Sequence, residues 1–123
     1  MNKKIFVTRP YLPELKKYVK YLESIWSNEI LTNNGPIHQE LELKLAKFLG
    51  VKYISLFCNA TIALLVSIKA LKLKGEIITT PYSFVATSHV IKWNGVTPVF
   101  IDVEQDTCNI DPFKIEQSIT NKT

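Results

Sequence analysis

The chain has 123 residues, 46% hydrophobic, 21% charged and 11% aromatic, which is enough for a packed core and excludes a disordered tail or a disulfide scaffold. The net charge of +4 comes almost wholly from scattered lysines, with Arg9 the only arginine, a pattern that disfavours a nucleic-acid partner needing clustered charge and arginine forks. No apolar run approaches the roughly 20 residues of a membrane span, no leader pattern follows Asn2-Lys3-Lys4, and Cys58 and Cys108 have neither C-x-x-C spacing nor a nearby His pair; the expectation is a cytoplasmic protein with reduced thiols, no metal site and no membrane contact.

Pro13 sets a helix start, after which Leu15, Tyr18, Val19, Leu22 and Trp26 recur with helical spacing while Glu14, Lys16, Lys17 and Lys20 fill the other face. Residues 27–34 lose that period and run into the breaker pair Gly35-Pro36, which predicts an ordered but irregular loop. A second helix opens at Pro36, places Ile37, Leu41, Leu45 and Phe48 on one face, and closes at Gly50, a residue suited to a left-handed cap. Beyond it the pattern changes. Residues 53–57, 76–80 and 97–101 are short and rich in β-branched or aromatic side chains, and residues 61–73 and 83–93 separate them at helix length.

Strand, helix, strand, helix, strand predicts an α/β fold in which crossovers join parallel strands. Residues 1–50 then form N-terminal helices and a loop, and residues 51–123 the α/β part. Asp111-Pro112 predicts a further helix, with Asp111 as its cap and Phe113, Ile115 and Ile119 available for packing.

Ligands of an open α/β sheet bind beyond the carboxyl ends of its strands, where helix N-termini expose unpaired amides and partial positive charge. Three segments reach that edge: Cys58-Asn59-Ala60-Thr61, Pro81-Tyr82-Ser83-Phe84 and Asp102-Val103-Glu104. The amides of Ala60 and Thr61, with the Thr61 hydroxyl, suit a phosphate monoester, and Asn59 suits a plain helix cap. Tyr82 and Phe84 offer flat rings either for stacking on a planar ligand or for core packing. Taken together, a phosphate cradle and a stacking platform on neighbouring strands describe a site for a planar, phosphorylated cofactor. Asp102 reads as a turn or capping residue, His89 as a partly buried packing residue, and His38 as a first-turn residue without the partners of a triad.

In order and spacing, Leu31-Thr32-Asn33-Asn34-Gly35-Pro36, residues 43–50, Asn59-Ala60-Thr61-Ile62-Ala63-Leu64, Thr80-Pro81-Tyr82-Ser83-Phe84-Val85-Ala86-Thr87 and Pro98-Val99-Phe100-Ile101-Asp102 resemble the DegT/StrS family of sugar aminotransferases. The resemblance covers nearly the whole chain and implies the N-terminal part of the large domain of a fold-type I, aspartate aminotransferase-like transferase with pyridoxal 5′-phosphate as cofactor. It further implies that Ala60 and Thr61, with Asn59 beside them, meet the cofactor phosphate and that Phe84 stacks on its ring with Tyr82 nearby. Asn33 and Asn34 would belong to a loop that approaches the active site or a dimer partner. Two departures stand out: Asn59-Ala60-Thr61 replaces the family's usual Ser-Gly-Thr, and Gly75-Glu76 is one residue shorter than its Gly-Asp-Glu. Alanine keeps the amide donor, so the turn survives if its φ is negative, and the shorter turn is expected to matter little.

The wording of Asn33-Asn34-Gly35, Ile54-Ser55-Leu56-Phe57 and Thr79-Thr80-Pro81-Tyr82-Ser83-Phe84 is similar to members that aminate dTDP-4-keto-6-deoxyglucose to dTDP-4-amino-4,6-dideoxyglucose for surface polysaccharides such as the O-antigen of lipopolysaccharide. Such an enzyme takes a nucleotide-sugar substrate and an amino-acid donor, glutamate, and works as a homodimer. The resemblance places the Schiff-base lysine and the aspartate that pairs with the ring nitrogen beyond Thr123. No catalytic residue is therefore expected within the chain, and residues 1–123 alone are expected to be inactive. The competing class is a truncated, non-catalytic remnant or a module that binds a phosphorylated ligand; protection against unfolding by such a ligand separates the two.

Overall fold

Pro36 and Gly50 bracket a helix as their backbone chemistry requires, and the computed structural model, which describes residues 5–123, shows that bracket directly. The chain divides into two compact units, Met1–Ser55 and Leu56–Thr123.

The first unit carries α1 (Leu15–Asn28) and α2 (Pro36–Leu49). Helix α1 ends where Glu29 turns left-handed at φ 55° and gives its amide to the Ile25 carbonyl. Asn34 takes the same region at φ 59°, which asparagine tolerates better than most residues, and Gln39 Nε2 donates to its carbonyl at 3.0 Å. Pro36 then occupies the first turn of α2, where its missing N–H costs nothing. At the far end Gly50 closes the helix at φ 66°, and Val51 donates to the Ala46 carbonyl at 3.0 Å. Neither helix buries a residue within its unit.

The second unit contains α3 (Ala60–Ala70), β1 (Glu76–Thr79), α4 (Ala86–Trp93), β2 (Thr97–Phe100) and α5 (Pro112–Gln117). Strands β1 and β2 pair in parallel, Glu76 opposite Thr97 through Thr79 opposite Phe100, and α4 is the crossover between them. The ladder reaches one residue further through the Ile101 amide, which donates to Thr79 O at 2.9 Å. Ile68 of α3 and Val90 and Ile91 of α4 form the core with Val96, and Leu65 and Ile77 pack against them. Asn94, at the end of α4, donates through Nδ2 to Leu65 O at 3.2 Å and to Val90 O at 2.9 Å. This side chain ties the two helices together.

The α/β class stands, with corrections to its elements. The expected strand at residues 53–57 is not formed, because no segment among the described residues pairs with it and a strand has no hydrogen bonds of its own to fall back on. Helix α3 stops at Ala70 and not at residue 73, since Lys72 turns left-handed at φ 53°. Helix α4 starts at Ala86 and not at Ser83, because residues 81–84 form a separate turn. The tight connection before β1 depends on Gly75: at φ 77°, a Cβ there would lie 2.2 Å from the Lys122 carbonyl oxygen, the same oxygen that accepts from the Glu76 amide at 2.9 Å. Asp111 caps α5 as expected, with Oδ1 accepting from Phe113 at 2.9 Å and Lys114 at 3.4 Å.

Candidate functional site

Asn59 is extended at φ −163° immediately before α3. Its side-chain oxygen accepts from the Ile62 amide at 2.9 Å and its main-chain oxygen from the Ala63 amide at 3.1 Å, so the capping reading holds. That leaves the amides of Ala60 and Thr61, the first two of the helix, with no preceding turn to accept from them. No acidic residue occupies the first turn, so nothing opposes an anion there. Ala60 is absent from the residues with positive φ, which among the described non-glycine residues are Glu29, Asn34, Lys72 and Cys108. Alanine therefore fits this turn without strain. Asn59 Nδ2 is 3.5 Å from Cys58 Sγ, and both cysteines are free thiols.

The second segment leaves β1 at its carboxyl end. Tyr82 and Phe84 are 69% and 77% exposed, so within this unit neither ring is a core residue and the Phe84 face is open for stacking. Their backbone, in contrast, is well held: Tyr82 N–H donates to Thr80 Oγ1 at 3.2 Å, and Thr87 N–H donates to Phe84 O at 3.0 Å. Helix α3 runs into β1 through the short connection 71–75 and packs Ile68 against the same core as Ile77. The first segment offers two main-chain amides and a hydroxyl, the groups a phosphate monoester takes, and the second an open aromatic ring, the group a flat heterocycle takes.

The remaining candidates fall outside this arrangement. Asn33 and Asn34 form the turn between α1 and α2, in the first unit. Asp102 accepts from its neighbour Val103 N–H at 2.9 Å and lies 3.7 Å from Lys114 Nζ, which is the turn role expected of it. His89 is exposed and not a partly buried packing residue, its ring tilted 42° against Trp93 at 5.6 Å. His38 does have a carboxylate beside it, Glu42 Oε1 at 3.2 Å, but the two form an (i, i+4) pair along α2 with no nucleophile in the pair. An apolar groove of about 410 Å³ lies between α1 and α2, lined by Tyr18, Leu22, Ile25, Ile37 and Leu41, and offers packing surface more than chemistry. Among the described residues no group of His, Cys, Asp and Glu has the geometry of a metal site, and no helix is long and apolar enough to cross a membrane.

Sequence reasoning missed two supports of the site. Ser83 Oγ lies 2.9 Å from Thr87 Oγ1, a hydroxyl pair one helical turn apart whose spacing was readable in principle. The Asn94 link to Leu65, 29 positions away, had no local signal.

The profile of the DegT/DnrJ/EryC1/StrS aminotransferase family matches residues 14–123. A dTDP-4-amino-4,6-dideoxy-D-glucose transaminase of Escherichia coli is 66% identical over 122 residues, which are 99% of this chain and 33% of that protein. A solved structure of DesI in the presence of its TDP-sugar product superposes with a TM-score of 0.89 at 33% identity, over 100% of this chain and 31% of the other. The structure of NtdA from Bacillus subtilis with bound cofactor PMP superposes with a TM-score of 0.83 at 27% identity, over 100% of this chain and 30% of the other. The chain thus spans about a third of the length of the proteins it matches.

Proposed function

This chain belongs to the DegT/DnrJ/EryC1/StrS aminotransferase family, and from that premise we propose that it is the cofactor-holding part of a pyridoxal 5′-phosphate-dependent sugar aminotransferase. The reaction moves an amino group from glutamate to dTDP-4-keto-6-deoxyglucose, giving the 4-amino-4,6-dideoxy sugar for surface polysaccharide in the cytoplasm, with a homodimer as the working form. The observation that carries this reading is the 66% identity to the Escherichia coli transaminase along 99% of the chain.

The residues of this chain have binding and orienting work to do. The Ala60 and Thr61 amides at the start of α3 hold the cofactor phosphate, where the helix dipole favours its negative charge. The Thr61 hydroxyl adds a further donor. Asn59 keeps the helix start in shape by satisfying the Ile62 amide, which leaves the first two amides for the ligand. The Phe84 ring covers one face of the heterocycle and keeps water from it, and Tyr82 stands on the same turn. When bound, the cofactor supplies an electron sink for removal of a proton from the carbon that bears nitrogen. Asn33 and Asn34 are assigned to substrate or subunit contact.

The test uses the full gene product that carries residues 1–123, supplied with pyridoxal 5′-phosphate, glutamate and dTDP-4-keto-6-deoxyglucose, with the product followed by mass spectrometry. A sugar nucleotide in which the keto oxygen has been replaced by an amino group is expected. No amination of this sugar, with amination of a different nucleotide-linked keto sugar, would overturn the substrate assignment; no amination of any would overturn the enzymatic reading.

A further inference from the structure

An aromatic ring that stacks on a cofactor has to be held at a fixed height and tilt, and most stacking rings are held by neighbours that wall them in. Phe84 has no such wall in its unit: it is 77% exposed, Tyr82 is 69% exposed and Val85 is 51% exposed. Within this unit, then, the position of the ring comes from its backbone. The residue before Phe84 and the residue three after it close on that backbone. Ser83 Oγ lies 2.9 Å from Thr87 Oγ1 and 3.4 Å from Phe84 O, and the Thr87 amide donates to the same Phe84 carbonyl at 3.0 Å. One assignment of protons satisfies every contact: Thr87 O–H donates to Ser83 Oγ, and Ser83 O–H donates to Phe84 O. The next turn is held in the same manner, with Ser88 Oγ donating to Val85 O at 3.0 Å and the His89 amide to the same oxygen at 3.1 Å.

We propose that Ser83 and Thr87 are positioning residues for the stacking ring: their hydroxyls clasp the main chain of Phe84 and set the plane that the ring presents to the cofactor. The inference rests on the reading of Phe84 as the stacking residue. It adds that the ring works only on a pre-shaped turn, since a ring that must be ordered at the moment of binding loses affinity to that ordering. The carbonyl of Phe84 is common to the backbone and side-chain bonds, so removing either hydroxyl loosens the turn without touching the ring or the phosphate cradle.

The experiment compares Ser83→Ala, Thr87→Val, Thr87→Ser and Phe84→Ala in the full gene product reconstituted with pyridoxal 5′-phosphate. The cofactor dissociation constant is measured together with the circular dichroism induced in the cofactor absorption band, and the unfolding midpoint of each cofactor-free form is recorded. Ser83→Ala and Thr87→Val are expected to weaken retention about three- to tenfold, the range of one neutral hydrogen bond, and to reduce the induced signal. Thr87→Ser, which restores the hydroxyl, is expected to match the parent. If Phe84→Ala weakens retention while Ser83→Ala and Thr87→Val behave as the parent, the positioning role is wrong and the stacking role survives. If Phe84→Ala changes nothing, the stacking reading itself fails and the positioning role with it. A weakened retention that only tracks lower stability of the cofactor-free protein, with the induced signal per bound cofactor unchanged, also overturns the proposal, because that is what a merely structural pair would give.

Discussion

Asn59 shows how one residue serves two purposes at a helix start. Its carboxamide oxygen satisfies the Ile62 amide, and the Ala60 and Thr61 amides that remain unpaired are the ones proposed to hold the cofactor phosphate. Aspartate caps a helix about as well as asparagine, but it brings a full negative charge. Asn59→Asp is therefore expected to keep the unfolding midpoint of the cofactor-free protein within about 0.5 kcal/mol of the parent, while weakening pyridoxal 5′-phosphate binding in a way that added salt partly relieves. Unchanged affinity at low salt would mean that no phosphate sits at this turn. Asn59→Ala gives the reverse pattern, with loss of about 1 kcal/mol of stability as the cap disappears, read as a lower unfolding midpoint. The cap could be read from Asn59-Ala60-Thr61, because a capping hydrogen bond spans three residues and needs nothing from the rest of the fold.

At the scale of the elements, the second unit depends on two contacts between parts of the chain that are far apart in sequence. Gly75 has a left-handed φ of 77°, and a Cβ on it would sit 2.2 Å from the Lys122 carbonyl oxygen. Gly75→Ala must push that carbonyl away and lose its bond from the Glu76 amide, besides the backbone strain. The expected cost is about 2–3 kcal/mol, measurable by denaturant unfolding; a loss under about 0.5 kcal/mol, the level of an ordinary surface substitution, would show that Lys122 does not close on this turn. Asn94 is the second contact. Its Nδ2 bonds Leu65 O in α3 and Val90 O in α4, so Asn94→Ala is expected to lower stability by about 1 kcal/mol and to loosen α3 against α4. Equal hydrogen exchange in α3 of variant and parent would count against that link. Neither contact was legible in the sequence: Gly75-Glu76 read as a shortened turn of little consequence, and nothing near Asn94 in the sequence points to Leu65, 29 positions away.

At the scale of the whole chain, exposed apolar surface is the dominant feature. Leu15, Trp26, Phe48 and Tyr53 are all more than 70% exposed, and the helices of the first unit bury no residue within it. Soluble monomers rarely leave so many large apolar side chains open, and among the described residues β1 and β2 form a sheet of two strands with no third strand on either edge. Residues 1–123 produced alone are expected to self-associate in a concentration-dependent manner that salt does not reverse, as sedimentation would show. A monodisperse monomer at high concentration would contradict this.

The sequence by itself determined what short-range forces decide. The amphipathic periods of α1 and α2, the proline at the start of α2, the left-handed glycine at its end and the Asn59 and Asp111 caps all follow from interactions within about four residues. The order of motifs from residue 31 to residue 102 also carried the resemblance to the family and, through it, the candidate residues Ala60, Thr61, Phe84 and Tyr82. Only the tertiary structure decided which extended segments became strands. Residues 76–79 and 97–100 pair with each other, and residues 53–57, just as rich in β-formers, pair with nothing described. A helix carries its hydrogen bonds inside its own segment, whereas a strand acquires them from a partner distant in sequence, and no local pattern names that partner. The same physics explains why Phe84 was recognisable as an aromatic at the sheet edge, while its exposure and the hydroxyl clasp around it became visible only in three dimensions.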